Sequence, residues 1–311
     1  MIFDEAVKST ATEVQLKYIE AVELHGDGTK AAAALGVNKS TINRSIKAAR
    51  MVAMNAGHAP EGEKFCRHLV IPDTQIKPDV PLDHLTWAGE YCAEKRPEKV
   101  VILGDWCDFP SLSSYDKGKK SFEGRRYKAD VEAAREGMNL FMAPINKARN
   151  YRPRKVLLLG NHEHRADRAV EDDAMLEGLI SISDLQYESH GWEVIPFLEV
   201  INLDGLLYSH YFYNQMSGKA FGGTCHVKLK NIGKSFVMGH QQGLDMAMRE
   251  LPDGSRQMGL VAGSFYQHEE IYKGPQGNSH WQGIVMLNEV RDGRYDPMPI
   301  SLEYLRRRYG K

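Results

Sequence analysis

Cysteine is scarce in this chain: its 311 residues carry four, Cys66, Cys92, Cys107 and Cys225, far apart and with no C-x-x-C pair. That spacing argues against a disulfide framework or a zinc knuckle and predicts a reducing compartment. No apolar run reaches the ~20 residues needed to span a bilayer, so no membrane partner is expected. The opening MIFDEAVKST lacks the basic end and apolar stretch of a signal peptide, which predicts a cytoplasmic protein. An excess of either charge is also missing: 40 Lys and Arg stand against 41 Asp and Glu. Attraction to nucleic acid therefore has to come from local patches. One such patch is itself defined by an absence. Between Gly28 and Pro60 there is no Asp or Glu, while Lys30, Lys39, Arg44, Lys47 and Arg50 are present.

Residues 1–60 read as helices, a small all-α domain with a linker, and residues 61–311 as a larger α/β domain. Thr10 followed by Glu13 has the spacing of a capping box, and Val14, Tyr18 and Val22 recur at helical spacing toward a core. Thr29 is placed to cap a short helix of small residues, Gly36 to make a tight turn, and Asn38 to cap a second helix carrying Ile42 and Ile46. Two short helices joined at a glycine resemble a helix-turn-helix DNA-binding unit. On its second helix Lys39, Ser40, Thr41, Asn43, Arg44 and Lys47 stand away from the Ile42/Ile46 face, where they can meet phosphates or base edges. The plainer reading is a helical packing module with a solvated basic face. The small, polar stretch from Asn55 to Gly62 reads as the linker.

Beyond the linker, short apolar strands alternate with helices: 68–71, 99–103, 155–159, 206–209, 235–238, 258–262 and 283–287. Several are unbroken apolar runs, as expected of strands buried on both faces. The residues just past them carry the chemistry. LVIPD ends in Asp73, VVILGD in Asp105, VLLLGN in Asn161, LLYSH in His210 and FVMGH in His240. Ligands of α/β sheets bind past the carboxyl ends of strands, and a carboxylate, amide and imidazole set suits divalent cations. Each residue also has a plain reading: Asp73 or Asp105 as a helix cap, Asn161 as a turn residue, His210 or His240 as a hydrogen-bonded core histidine. His190, His226, His268 and His280 keep that plain reading.

Taken in order, D-T-Q (Asp73 to Gln75), G-D-W-C-D (Gly104 to Asp108), G-N-H-E (Gly160 to Glu163), His210 and G-H-Q-Q (Gly239 to Gln242) resemble the calcineurin-like metallophosphoesterases. The resemblance runs over residues 66–290, and Leu260 to Ser264 is similar to the family's N-P-G-S loop. It implies a four-layer α/β/β/α sandwich preceded by the helix-turn-helix domain. It implies two divalent ions, one on Asp73, Gln75, Asp105 and Gln242, the other on Asp105, Asn161, His210 and His240. The family has histidine where Gln75 and Gln242 stand. Both changes fall on one ion, leaving a site lined by oxygen, so Mn²⁺ or Mg²⁺ is expected there ahead of Zn²⁺ or Fe. The competing reading is that this site is weak or empty.

The resemblance also implies a reaction: phosphoester hydrolysis by a two-metal-activated hydroxide, with His162 as general acid or transition-state donor and Asp108 orienting it. Arg165 is a candidate phosphate contact, or a solvated helix arginine. Family phosphoprotein phosphatases carry Arg directly after G-D-x-x-D, where this chain has Phe109. For the substrate, the stretch Ser113 to Lys128 interleaves Lys117, Lys119, Lys120, Arg125 and Arg126 with Tyr115, Phe122 and Tyr127. That mixture suits a nucleic-acid strand, or is a solvated loop. With the N-terminal unit it makes a DNA phosphodiesterase or nuclease the leading expectation. A phosphomonoesterase acting on protein or nucleotide, or a catalytically weak DNA-binding regulator, are the alternatives.

Overall fold

The computed structural model describes residue 3 and residues 5–55, 65–270 and 274–310, with the side chains of 5, 6, 10, 50–55 and 275 left aside. Most of the expected linker, and the Arg50 side chain, therefore lie outside the described residues. The chain divides into two compact units, Met1–Lys64 and Phe65–Lys311.

The first unit holds α1 (Glu5–Thr10), α2 (Glu13–His25), α3 (Gly28–Leu35) and α4 (Lys39–Asn55). Phe3, Val7, Ile19, Val22, Ala31, Ala32, Ile42, Ile46 and Ala49 share its core. The capping box sits two residues later than expected. Thr12 accepts from the Gln15 N–H, and the Gln15 side chain returns to the Thr12 N–H. That shift turns Val14 outward, 59% exposed, and brings Ile19 in. Likewise Asp27, not Thr29, caps α3, accepting the Thr29 N–H. Gly36 does adopt the left-handed conformation at the end of α3, at φ 65°. Asn38 precedes α4, and its carbonyl accepts from Thr41 and Ile42. Lys39, Ser40, Thr41, Asn43, Arg44 and Lys47 are all exposed while Ile42 and Ile46 are buried.

The second unit is mixed α/β with two mixed sheets. One has the order β11 (Arg294–Ser301), β10 (Gly283–Arg291), β1 (Cys66–Ile71), β2 (Lys99–Ile102), β3 (Arg154–Leu158), β4 (Glu193–Ile195). The run β1 to β4 is parallel, and β10 and β11 attach antiparallel. The other has the order β5 (Ile201–Leu203), β6 (Leu206–Tyr208), β7 (Phe236–Met238), β9 (Arg256–Ala262), β8 (Leu244–Glu250). Its middle strands β6, β7 and β9 are parallel.

Side chains alternate between faces along each strand. Leu69 and Ile71 of β1, with Val100 and Ile102 of β2, pack among residues of α5 (Asp83–Lys95), α6 (Tyr127–Lys147) and α10 (Leu302–Tyr309). Val70, Val101, Val156 and Leu158, from the opposite face, share a cluster with Leu206, Tyr208, Val237, Leu260 and Ala262 of the other sheet. Phe236, Met238 and Val261 turn away from that cluster, toward Cys225 and Leu229 of α8 (Cys225–Ile232). Both sheets are thus apolar on two faces, which is why their central strands read as unbroken apolar runs. The remaining helices are α7 (Arg165–Asp172) and the short α9 (Gly274–Gly277). No helix among the described residues is long and apolar enough to cross a membrane. None of the four cysteines is in a disulfide among the described residues, and Cys92, Cys107 and Cys225 are buried.

Candidate functional site

The loops that leave β1, β2 and β3 in one sheet and β6 and β7 in the other meet at their carboxyl ends. Asn161 Oδ1 lies 3.0 Å from His210 Nε2 and 2.8 Å from His240 Nδ1. His210 Nε2 is 3.5 Å from Asp105 Oδ2, and the other His210 nitrogen, Nδ1, donates to the Leu103 carbonyl at 2.7 Å. A carbonyl only accepts, so Nδ1 carries a proton and the ring is oriented with Nε2 toward Asp105. Donor atoms of Asp105, His210 and His240 all fall within 4.8 Å of one another. Burial, then the neighbouring His210, holds the His240 imidazole down at about 4, so it is neutral at physiological pH, as a ligand must be.

Asp73 borders this group. Its Oδ1 accepts the His240 N–H at 3.0 Å, while its Oδ2 is buried with no hydrogen-bond partner. Burial, and then Asp105, raise the Asp73 carboxyl to about 7. The backbone N–H groups of Thr74 and Gln75 both donate to the Asp105 carbonyl, which ties the first motif to the second. Gln75 and Gln242 are both buried. The Gln242 Oε1 accepts the Tyr266 hydroxyl at 3.0 Å. The donor set fits a cation: a buried carboxylate oxygen without a partner, a second carboxylate, and one amide oxygen between two imidazoles.

Close backbone approach makes the assembly possible. A Cβ on Gly160 would fall 2.1 Å from Asp105 Oδ1, and one on Gly239 would fall 2.5 Å from Asp73 Oδ1. Gly104, at φ 95°, has room for no side chain either, since His210 Nδ1 would lie 2.8 Å away. Gln75, Asp105, Phe109, His240 and Gln242 all hold left-handed φ angles without being glycine. Such conformations are costly for these side chains, and their concentration around one point marks a place where geometry outweighs local preference.

His162 stands beside the group. Its Nδ1 donates to Asp108 Oδ1 at 2.6 Å, its Nε2 is 3.7 Å from Asp105 Oδ2, and its backbone N–H donates to Asp105 Oδ1. Burial opposes protonation of the ring, but Asp105 and Asp108 outweigh it and lift the pKa to about 9. Asp108 is held well below the usual carboxylate range: burial works against this, and His162, Arg165 and Lys77 overcome it. Arg165 does not extend freely toward the site. Its Nη1 donates to the Asp108 carbonyl and its Nη2 lies 3.3 Å from His162 Nε2.

Two residues outside the expected set contribute. Glu163, fully buried, accepts the backbone N–H groups of Asp105, Cys107 and Gly160, each at 2.9 Å. One carboxylate therefore fixes the loops after both β2 and β3. Its place in G-N-H-E was visible in the sequence, but not the role, because its partners are backbone amides far away in the chain. Lys77 pairs with Glu270 at 2.7 Å and lies 3.8 Å from Asp108. Neither Lys77 nor Glu270 carries a sequence signal. His268 binds Glu270, and His280 lies 2.7 Å from Ser264 Oγ, so both sit in hydrogen-bond networks.

The basic stretch after β2 is partly committed to its own fold. Arg125 pairs with Asp116 and donates to the Pro110 carbonyl, and Tyr127 stacks on Phe109 and donates to Asp184. Lys117, Lys120, Arg126 and Lys128 remain exposed.

No protein-family profile matches the chain. It is similar to the "Gene 54 protein" of Mycobacterium phage D29, 28% identical over 185 residues, covering 56% of this chain and 68% of that protein. It is also similar to the "Gene 54 protein" of Mycobacterium phage L5, 27% identical over 180 residues with the same coverage. A solved crystal structure aligns over 77% of this chain and 100% of that chain at TM-score 0.39 and 10% identity, a likeness too slight to bear on fold or function.

Proposed function

We propose that the chain is a metal-dependent phosphoesterase of the calcineurin-like type, acting as a phosphodiesterase or nuclease on DNA. The observation that carries this reading is the meeting of Asp105, Asn161, His210 and His240 at strand ends of two sheets, with His162 held beside Asp105 by Asp108. Alternating side chains that divide between three clusters support the four-layer sandwich. The glycine-ended α3 and the exposed polar face of α4 support a helix-turn-helix unit.

Asp73, Gln75, Asp105 and Gln242 would hold one divalent ion, and Asp105, Asn161, His210 and His240 the other. Such ions supply Lewis acidity, neutralising charge on phosphate oxygens and making water a better nucleophile at neutral pH. The chain's own residues do the rest. Burial keeps His240 neutral, and the Leu103 bond at Nδ1 turns His210 Nε2 toward the group. Asp108 holds His162 at Nδ1, so Nε2, beside Arg165 Nη2 and Asp105, is the nitrogen that would give a proton to the leaving oxygen. Arg165 anchors Asp108 and lies beside His162 Nε2, where it would contact a phosphate oxygen.

Labelled single- and double-stranded DNA, p-nitrophenyl phosphate and its bis-ester, each incubated with Mn²⁺, test the reading. Cleavage of DNA and of the bis-ester is expected, with DNA cleavage weakened on deletion of residues 1–60 and made less sensitive to salt. Turnover of the mono-ester alone would favour a phosphomonoesterase. Failure on every substrate with retained, salt-sensitive DNA binding would favour a regulator.

A further inference from the structure

The rim of the candidate cage carries three aromatic rings from three separate loops. Tyr211 follows His210, and its ring lies 4.7 Å from the His240 ring. Phe197, from the segment after β4, stands edge-on to Tyr211 at 5.6 Å and 78°, and is 6.3 Å from the His210 ring. His164, from the loop after β3, stacks on Phe197 at 4.9 Å and 27°. The three form a continuous line that ends on two residues of the cage. None of them is buried: His164, Phe197 and Tyr211 each keep part of their surface open. Rings that only filled a core would be covered, as Phe236 and Tyr208 are.

Partly exposed aromatic rings beside a phosphate-suited cage match the chemistry of a nucleotide, whose flat base stacks on rings while its anionic link is held by charge.

We propose that Tyr211, Phe197 and His164 form a nucleobase platform that seats an unpaired base beside the phosphoester in the cage. This rests on the phosphodiesterase reading and narrows it to substrates that present an unstacked base: single strands, ends or frayed duplex.

The test uses the full chain with Ca²⁺ and a phosphorothioate-linked trinucleotide carrying 2-aminopurine, too short to present a groove to the N-terminal unit. An abasic trinucleotide with the same phosphates is the competitor. The fluorescent trinucleotide should bind about 5- to 100-fold more tightly than the abasic one, the range for one stacked base. Tyr211→Leu should erase that preference, and Tyr211→Trp should keep it. Phe197→Leu serves the same purpose if circular dichroism shows Tyr211→Leu unfolded. Equal binding of both trinucleotides by the wild type, or a preference that survives both leucine variants, would overturn the platform. Hydrolysis of bis-p-nitrophenyl phosphate is measured beside it. Hydrolysis without base preference sinks the platform alone, whereas base preference without hydrolysis upholds the platform and sinks the phosphoesterase reading.

Discussion

His162 shows how much of the candidate chemistry depends on a single side chain being held from several directions. Asp108 takes its Nδ1, Asp105 accepts its backbone N–H, and Arg165 braces Asp108 from the other side. Replacing His162 by Ala keeps the backbone bond to Asp105 while removing the imidazole. Turnover of a phosphodiester should then fall by roughly 10²–10⁴-fold, as for loss of a general acid, with Mn²⁺ binding intact. Near wild-type kcat on both an activated and a natural substrate would remove His162 from the mechanism. A second residue, His84 on α5, makes a prediction about stability. It is 1% exposed, its Nε2 has no partner, and burial, then His268, push its pKa from 6.5 down to about 3. The unfolded chain protonates His84 near 6.5 and the folded chain resists until about 3, so the unfolded state binds more protons in that window. Stability should therefore fall as pH drops from 6.5 toward 3, by up to about 1.4 kcal/mol per pH unit from this group. Urea midpoints of His84→Gln against pH should show a shallower slope than the wild type; identical slopes would contradict it.

Elements differ in how far the sequence reveals them, and the reason is burial. β1, β2, β3, β7 and β9 pack on both faces, so their apolar runs stand out from the surrounding chain. β8, reading LDMAMRE, and β11, reading RYDPMPIS, are largely exposed strands at sheet edges and carry no such run. β4 and β5 are short and only partly buried, so they carry no apolar run either. The helical caps differ from expectation because Thr10, Thr12, Asp27 and Thr29 all have capping side chains, and spacing alone does not choose among them. The candidate site was more legible, because it lies where buried strands end and glycine must follow. Asp73, Asp105, Asn161, His210 and His240 are all found there. Lys77 and the ring of Phe197 were not visible, nor was the role of Glu163, since their main partners lie distant in sequence. The loop after β3 gives the prediction at this scale. Gly160→Ala would push Asp105 aside, because the new Cβ would meet its Oδ1 at 2.1 Å and its backbone nitrogen at 2.4 Å. Mn²⁺ affinity should drop by about 10- to 100-fold in a folded variant. Unchanged affinity would mean that the Gly160–Asp105 approach does not shape the site.

At the scale of the whole molecule, two units with different characters lie in one chain. The smaller has a core of its own and a helix whose exposed face is basic and polar. The larger collects acidic, amide and imidazole groups at the carboxyl ends of two sheets, in a chain that is otherwise nearly neutral. The proposed division of labour is nucleic-acid capture by the first and phosphoester hydrolysis by the second. All of it depends on the larger unit holding cations, and on the amide-lined half beside Asp73 being a site in its own right. Calorimetric titration of metal-free full-length protein with Mn²⁺ asks this directly. The account predicts two ions per chain, with Asp105→Asn weakening both because that carboxylate serves both. One ion per chain would contradict the oxygen-lined second site, and no binding at millimolar Mn²⁺ would contradict the account as a whole.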